Sequence, residues 1–308
     1  MGKNKFKTSI GGQALIEGVM MRGPETSSMA VRLPDGTIDV EETPLKNTSA
    51  WYKKTPFVRG TFNMVDSLML GYKCLMKSAE KSGMDDGEPS RFEEWLAKKS
   101  GKPIMSIVSV VALVLGGGLA ILLFMVLPTV IVSWIHPLLL TPTVKSLAEG
   151  VVKIAIFILY IWLVSKLEDI RRVFMYHGAE HKTIFCYEAG EELTIENVRA
   201  KSRFHPRCGT SFLLIVLVIS ILLFSVLTWH NVFLRIFLKL LLLPVVIGIS
   251  YEIIKLAGRY DNVLTRVISA PGMWLQRLTT VEPDGSQIEV AIASIIPVIP
   301  KEKGADEW

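Results

Sequence analysis

The sequence predicts an α-helical polytopic membrane protein, with about four transmembrane helices and a small α+β N-terminal cytoplasmic domain containing a β-hairpin. Three observations predict it. Ile104 to Val144 and Cys208 to Leu234 contain no Asp, Glu, Lys or Arg, in a chain of 308 residues that is 20% charged and has a formal net charge of +5. Lys and Arg gather at alternate ends of the apolar runs. Residues 1–100 carry strand and helix patterns that are too regular for a tail.

Within residues 1–100, Met29, Val31 and Leu33 alternate with Ala30 and Arg32 before a turn at Pro34-Asp35-Gly36, and alternation resumes from Thr37 to Glu41. That is a hairpin pattern, most simply part of a scaffold sheet. Over 61–82 the period becomes helical. Phe62, Met64, Val65, Leu68, Met69, Tyr72, Leu75, Met76 and Ala79 share one sector, with Leu70 outside it. Such a helix packs on a domain core or lies in the membrane interface, and the pattern leaves both open. Ser82 to Ser90 reads as a linker whose acids are solvated.

A membrane-spanning helix needs about 20 mostly apolar residues. The expected spans are 104–135, 147–167, 211–229 and 236–256. The second and fourth hold shorter apolar runs, extended by Lys153, Lys166 and Lys239, whose long side chains can reach the headgroups. Close helix packing is the expected reason for Gly116, Gly117 and Gly118. Basic residues lie before the first span (Lys98, Lys99, Lys102), after the second (Arg171, Arg172) and after the fourth (Lys255, Arg259, Arg266). The opposite loops offer only Lys145 and Arg235. Both termini and residues 168–210, read as a loop, are therefore expected in the cytoplasm.

The N-terminal "MGKNKFKTSIGG" lacks the apolar core of a signal peptide. Cytoplasmic cysteines favour metal binding or a core role over a disulfide. In the C-terminal segment, 257–308, Ser286 stands three residues before Glu289, the spacing of a capping box, and "PVIPKEKGADEW" is expected to fray. No phosphate-cradling loop, repeat or nucleic-acid signature is found.

The chemistry concentrates in one place. Of five histidines and three cysteines, His177, His181, His205, Cys186 and Cys208 fall between Phe174 and Gly209. On a helix, His177 and His181 share a face and can reach one ion. With Glu180 they form H-x-x-E-H, in which the carboxylate is free to act on water. "FHPRCGTSF" supplies His205 or Cys208 as a third ligand. A thiol among imidazoles favours zinc over hard cations. Interfacial histidines that only hydrogen-bond, and Cys186 as a small core residue, are the plainer alternative.

"GGQALIEGVMMRGP" (Gly11 to Pro24), "YHGAEHK" (Tyr176 to Lys182), "HPRCGTSF" (His205 to Phe212) and "WLQRLTTVEPDGSQIEVAIA" (Trp274 to Ala293) together resemble the YqhQ-like family of bacterial membrane proteins. The resemblance covers nearly the whole chain. It implies a bacterial cell-membrane location and a metal-dependent enzyme, and it draws notice to Gln13, Glu17, Arg22 and Arg59. These four, with Cys186, either line a site or brace the fold.

Two functions are expected from these residues. One is a zinc-dependent hydrolase at the cytoplasmic membrane face, with Glu180 as general base and a lipid headgroup, peptide or juxtamembrane segment as substrate. The other is a non-enzymatic accessory protein. There a closed zinc site using both His205 and Cys208 staples the chain, and the surface binds membrane-protein insertion or translation machinery. Three protein ligands favour the first and four the second.

Overall fold

The computed structural model describes residues 6–45, 50–83, 104–135, 141–226, 232–260, 262–302 and 304–307. The chain divides into two compact units. One comprises Met1–Gly83, Ile161–Ser220 and Trp229–Trp308, and the other Met84–Tyr160 and Ile221–Thr228. Most of the expected 82–90 linker lies outside the described residues.

The first unit is built on a four-stranded antiparallel sheet in sequence order. Its strands are β1 (Gly11–Leu15), β2 (Gly18–Arg22), β3 (Thr26–Arg32) and β4 (Ile38–Pro44). The expected hairpin is β3–β4. Gly36 turns the chain at φ 87°, and Asp35 Oδ1 accepts from the Thr37 backbone at 2.9 Å. β1 and β2 were not anticipated as strands. They meet across Ile16-Glu17, with Leu15 opposite Gly18.

Period-2 alternation gives the sheet two apolar faces. Leu15, Met20, Met29 and Val31 face α1 (Val58–Lys81), where Leu70, Cys74 and Leu75 pack on them. Val19, Met21 and Ala30 join a second core with Tyr176, Ala179, Ile288, Val290 and Ala291. Burying each large side chain contributes about 1.5–3 kcal/mol. Leu70, the residue outside the expected apolar sector of α1, is thus a core contact, while Phe62, Val65, Leu68, Met69 and Tyr72 from that sector are exposed.

The other helices are α2 (Ile104–Ile121), α3 (Leu127–Ile135), α4 (Pro142–Val164), α5 (Glu168–Glu188), α6 (Ile195–Arg199), α7 (Gly209–Val226), α8 (Val232–Arg259), α9 (Val263–Thr279) and α10 (Gly285–Ile295). Residues 168–210, the expected loop between spans, are mostly helical, with His177 and His181 on a helix as expected. Three helical stretches among the described residues are long and apolar enough to cross a membrane: Val111–Trp134, Thr143–Val164 and Phe237–Arg259. Gly209–Ser225, which overlaps the expected third span, is a shorter apolar helix.

In the second unit, α2 runs through a π-helical turn at Leu122–Val126 into α3, and Phe124 stacks edge-on to Phe157 and Tyr160. A methyl group at Gly116, Gly117 or Gly118 would meet nothing within 4 Å, so none of the described residues packs closely on that triplet.

Two C-terminal expectations are corrected. The cap of α10 is Asp284 with Gln287, two residues before the Ser286–Glu289 pair, because Asp284 rather than Ser286 holds the extended backbone of an N-cap. The tail is also anchored. Glu307 bridges Thr8, and the Thr8 hydroxyl donates to Asp306, which is buried. Thr8 N in turn donates to Glu188 Oε1 at 2.9 Å, and Arg207 pairs with Glu188 while donating to Thr8 O. Both ends of the first unit are thereby tied to the C-terminus of α5 and to the segment before α7.

Candidate metal centre

Helix α5 carries the first two histidines. At 100° per residue His177 and His181 project one turn apart on the same face, and their ring centroids stand 4.4 Å apart. Between them Gly178 lets the chain after α9 run close against the helix. A Cβ there would come within 2.2 Å of Val281 O, and Val281 N donates to Phe174 O at 2.9 Å.

That crossing brings Thr279 O to His177 Nδ1 at 2.8 Å, while His181 Nδ1 meets Arg203 O at 2.6 Å. A carbonyl oxygen only accepts, so each Nδ1 carries the proton and donates it. Each Nε2 is left to face another partner, with His177 Nε2 3.2 Å from Cys208 Sγ. An imidazole oriented by a carbonyl at one nitrogen and turned to a shared point with the other is the usual arrangement around a bound metal. The ligand atoms of His177, His181 and Cys208 all lie within 4.8 Å of one another. That donor set suits zinc, whose bonds to imidazole and thiolate are about 2.0–2.3 Å.

The electrostatics are those of a shared proton. Burial opposes ionising Cys208, but the two imidazoles beside it hold its thiol well below the usual range. His177 responds in the opposite sense. Burial alone would lower it, and the Cys208 thiolate raises it to about 9. A divalent cation would occupy the position of that proton and satisfy all three groups. His181 and Cys208 are buried and His177 is half-buried.

His205 stands apart from the three. Its backbone is clamped by Gln276, which accepts from His205 N and donates to His205 O, both at 2.7 Å. Its Nδ1 accepts from Arg207 N at 3.3 Å, and its ring packs on Phe185 with centroids 4.6 Å apart. Burial first, then the charge of Arg207, keeps this imidazole neutral. It neighbours His181 at a centroid distance of 5.5 Å.

Glu180 is 5% exposed, and burial raises its carboxyl above the ordinary carboxylate range against the pull of His177 and His181. The Gly12 backbone N–H hydrogen-bonds to it. A side chain at Gly12 would strike its Cγ and Cδ at 2.9 Å. Gly12 is thus a residue that sequence reasoning missed; the signal was a glycine pair opening a strand, where another group approaches closely.

The five further residues singled out are engaged elsewhere. Gln13 lies against Gly71 of α1, on the opposite side of the sheet from Gly12. Arg22 donates to Ser67 Oγ at 3.0 Å. Arg59 grips Glu252 through two nitrogens, with Nε at 2.7 Å. Cys186 is a core residue. Glu17 accepts from Arg172 Nε and Nη2 and from the Tyr176 hydroxyl, which holds the strained β1–β2 turn, where Glu17 has φ 51°.

The fold and site define a mostly helical chain with an N-terminal antiparallel sheet, three helices apolar enough to cross a membrane, and a His-His-Cys group beside a buried carboxylate. The chain belongs to the YqhQ-like family, described as Protein of unknown function (DUF1385), whose profile matches residues 55–301. It is 35% identical over 297 residues to the uncharacterized protein YqhQ of Bacillus subtilis (strain 168), covering 96% of this chain and 93% of that one. No solved structure matches it significantly.

Proposed function

We propose that this chain is a zinc-dependent hydrolase working at the cytoplasmic face of a bacterial cell membrane. The observation that carries the reading is the pair of histidines on α5. Each is held at Nδ1 by a backbone carbonyl, leaving Nε2 to converge with Cys208 Sγ. Three protein ligands leave a coordination position for chemistry. Zinc bound there supplies a Lewis acid. His177 and His181 position the reacting group, and Glu180 accepts a proton from water as general base. The substrate class is a lipid headgroup, a peptide or a juxtamembrane segment.

A second reading is favoured by one observation, the His205 ring beside His181. If that ring turned to become a fourth ligand, the site would be closed. It would then staple α5 to the start of α7, in a protein whose work is to bind a partner.

The test common to both readings is elemental analysis of protein purified in detergent without chelator. About one zinc per chain is expected, and a folded, metal-free protein overturns both. The membrane placement, with four spans and both termini cytoplasmic, rests on the Lys and Arg distribution. Accessibility labelling at Gly83, Glu191 and Lys301 should find all three in the cytoplasm. Labelling of Glu191 from outside the cell would refute a cytoplasmic site.

A further inference from the structure

Helix α9 is turned inside out. Its protein-facing side is small or polar: Thr265, Ser269, Gly272, Gln276 and Thr279 are buried, with Leu275 as the large apolar exception. Its outward side carries Val263, Leu264, Val267 and Trp274, the first 78% and the last 53% exposed. Residues 263, 267 and 274 recur at helical spacing and form one stripe. Helix α1 carries a second outward stripe. Its protein-facing side combines Gly60, Gly71 and Ser78 with Leu70, Cys74 and Leu75 packed on the sheet, while Phe62, Val65, Leu68, Met69 and Tyr72 face outward. A helix in water buries its large apolar residues and exposes its polar ones. α9 does the reverse, and α1 exposes as large an apolar stripe as it buries; both stripes need an apolar medium outside them. Small residues inward and large ones outward is the pattern of helices packed among lipid.

The neighbouring helix says which medium that is. Both helices adjoin α8, which contains the apolar stretch Phe237–Arg259. α1 packs on it closely: a side chain at Gly60 would strike Tyr251 at 2.6 Å, and Thr61 Oγ1 donates to Pro244 O at 3.0 Å. α9 begins at Val263, just after α8 ends at Arg259. The outward residues of α8, Phe237, Leu240, Leu241 and Val245, are themselves exposed. The apolar stripes of α1 and α9 therefore adjoin a helix that already calls for lipid. Tyr72, Trp274, Lys73 and Arg277 supply the aromatic rings and basic ends suited to a headgroup boundary.

We propose that α1 and α9 lie in the plane of the bilayer, with their outward apolar stripes against lipid acyl chains. This rests on α8 crossing a membrane and is independent of any metal. Because Thr279 of α9 holds His177, the His-His-Cys group then sits about one helix diameter, ~10 Å, from lipid. Substrates presented at the bilayer surface are within its reach.

The test is nitroxide labelling of the full chain in vesicles of phosphatidylcholine and phosphatidylglycerol, with Cys74 replaced by Ser; Cys186 and Cys208 are buried. Labels are placed at Leu68→Cys on α1, Val267→Cys on α9, Leu241→Cys on α8 and, as the aqueous control, at the exposed Glu191→Cys after α5. Relaxation by oxygen, which partitions into lipid, is compared with relaxation by a water-soluble nickel chelate. Oxygen is expected to exceed the chelate severalfold at positions 68, 267 and 241, with the order reversed at 191. The chelate prevailing at 68 and 267 while oxygen prevails at 241 overturns the in-plane placement alone. The chelate prevailing at all three overturns the membrane reading itself. Neither reagent reaching 68 or 267 means protein covers the stripe, which also overturns the proposal.

Discussion

Glu180→Gln is expected to remove activity on the order of 10²–10⁴-fold, the usual loss with a general base, while zinc content and folding stay close to those of the parent chain. Glutamine keeps the size of the buried side chain and an oxygen to accept the Gly12 N–H. It cannot take a proton from water. Glu180 also lies outside the His177, His181, Cys208 group, so its replacement removes no ligand. With the substrate unknown, the measurement is complementation of a strain lacking the chain, with zinc determined on the same variant. Failure to complement by a zinc-loaded, folded variant supports hydrolysis. Full complementation ends the hydrolase reading in favour of the closed, partner-binding site.

His177→Ala with His181→Ala is expected to abolish zinc binding, since two of three ligands go and one thiolate cannot hold the ion. Zinc at His/Cys sites is held with an apparent free energy on the order of 10–16 kcal/mol where it is structural. If the site is the closed, structural one, losing it depresses thermal stability well beyond the side-chain effects. Those effects are smaller: the Thr279 and Arg203 carbonyls lose their donors, which costs about 1–3 kcal/mol each if they stay buried. His205→Ala serves as the comparison, because its ring lies outside the group, and it should retain zinc. Equal zinc loss in His205→Ala would mean four ligands and a closed site. Undiminished zinc in the double variant would mean that the ion, if present, binds elsewhere.

Much of this architecture is local, and local features are legible. The turn at Pro34-Asp35-Gly36 depends on Asp35 bonding two residues ahead and on Gly36 reaching positive φ. The i, i+4 spacing alone puts His177 and His181 on one face. Length and composition alone mark Val111–Trp134, Thr143–Val164 and Phe237–Arg259 as able to cross a membrane. By contrast β1 and β2 escaped notice. β2 is buried through Gly18, Val19, Met20 and Met21 because the sheet is covered on both faces, which erases the alternation that betrays a strand.

The sequence by itself determined which residue types could hold a metal, and that the H-x-x-E-H segment would offer two of them from one helix face. Only the tertiary structure decided that Cys208 rather than His205 brings a ligand atom within 4.8 Å of theirs. Both lie in one short segment, and spacing cannot separate them. The choice comes from contacts with distant parts of the chain: Gln276 of α9 clamps the His205 backbone, and Arg207 holds its ring while pairing with Glu188 at the end of α5. The proton positions on the two histidines come from further distant groups, Thr279 O and Arg203 O. The same holds for α1, whose apolar sector was plain in the sequence but whose orientation was not. Which side meets the protein depends on where Gly60, Gly71 and Leu70 find close partners, and those partners lie on strands and helices far away in sequence. Periodicity reports that a helix has sides; the packing of remote neighbours decides what each side touches.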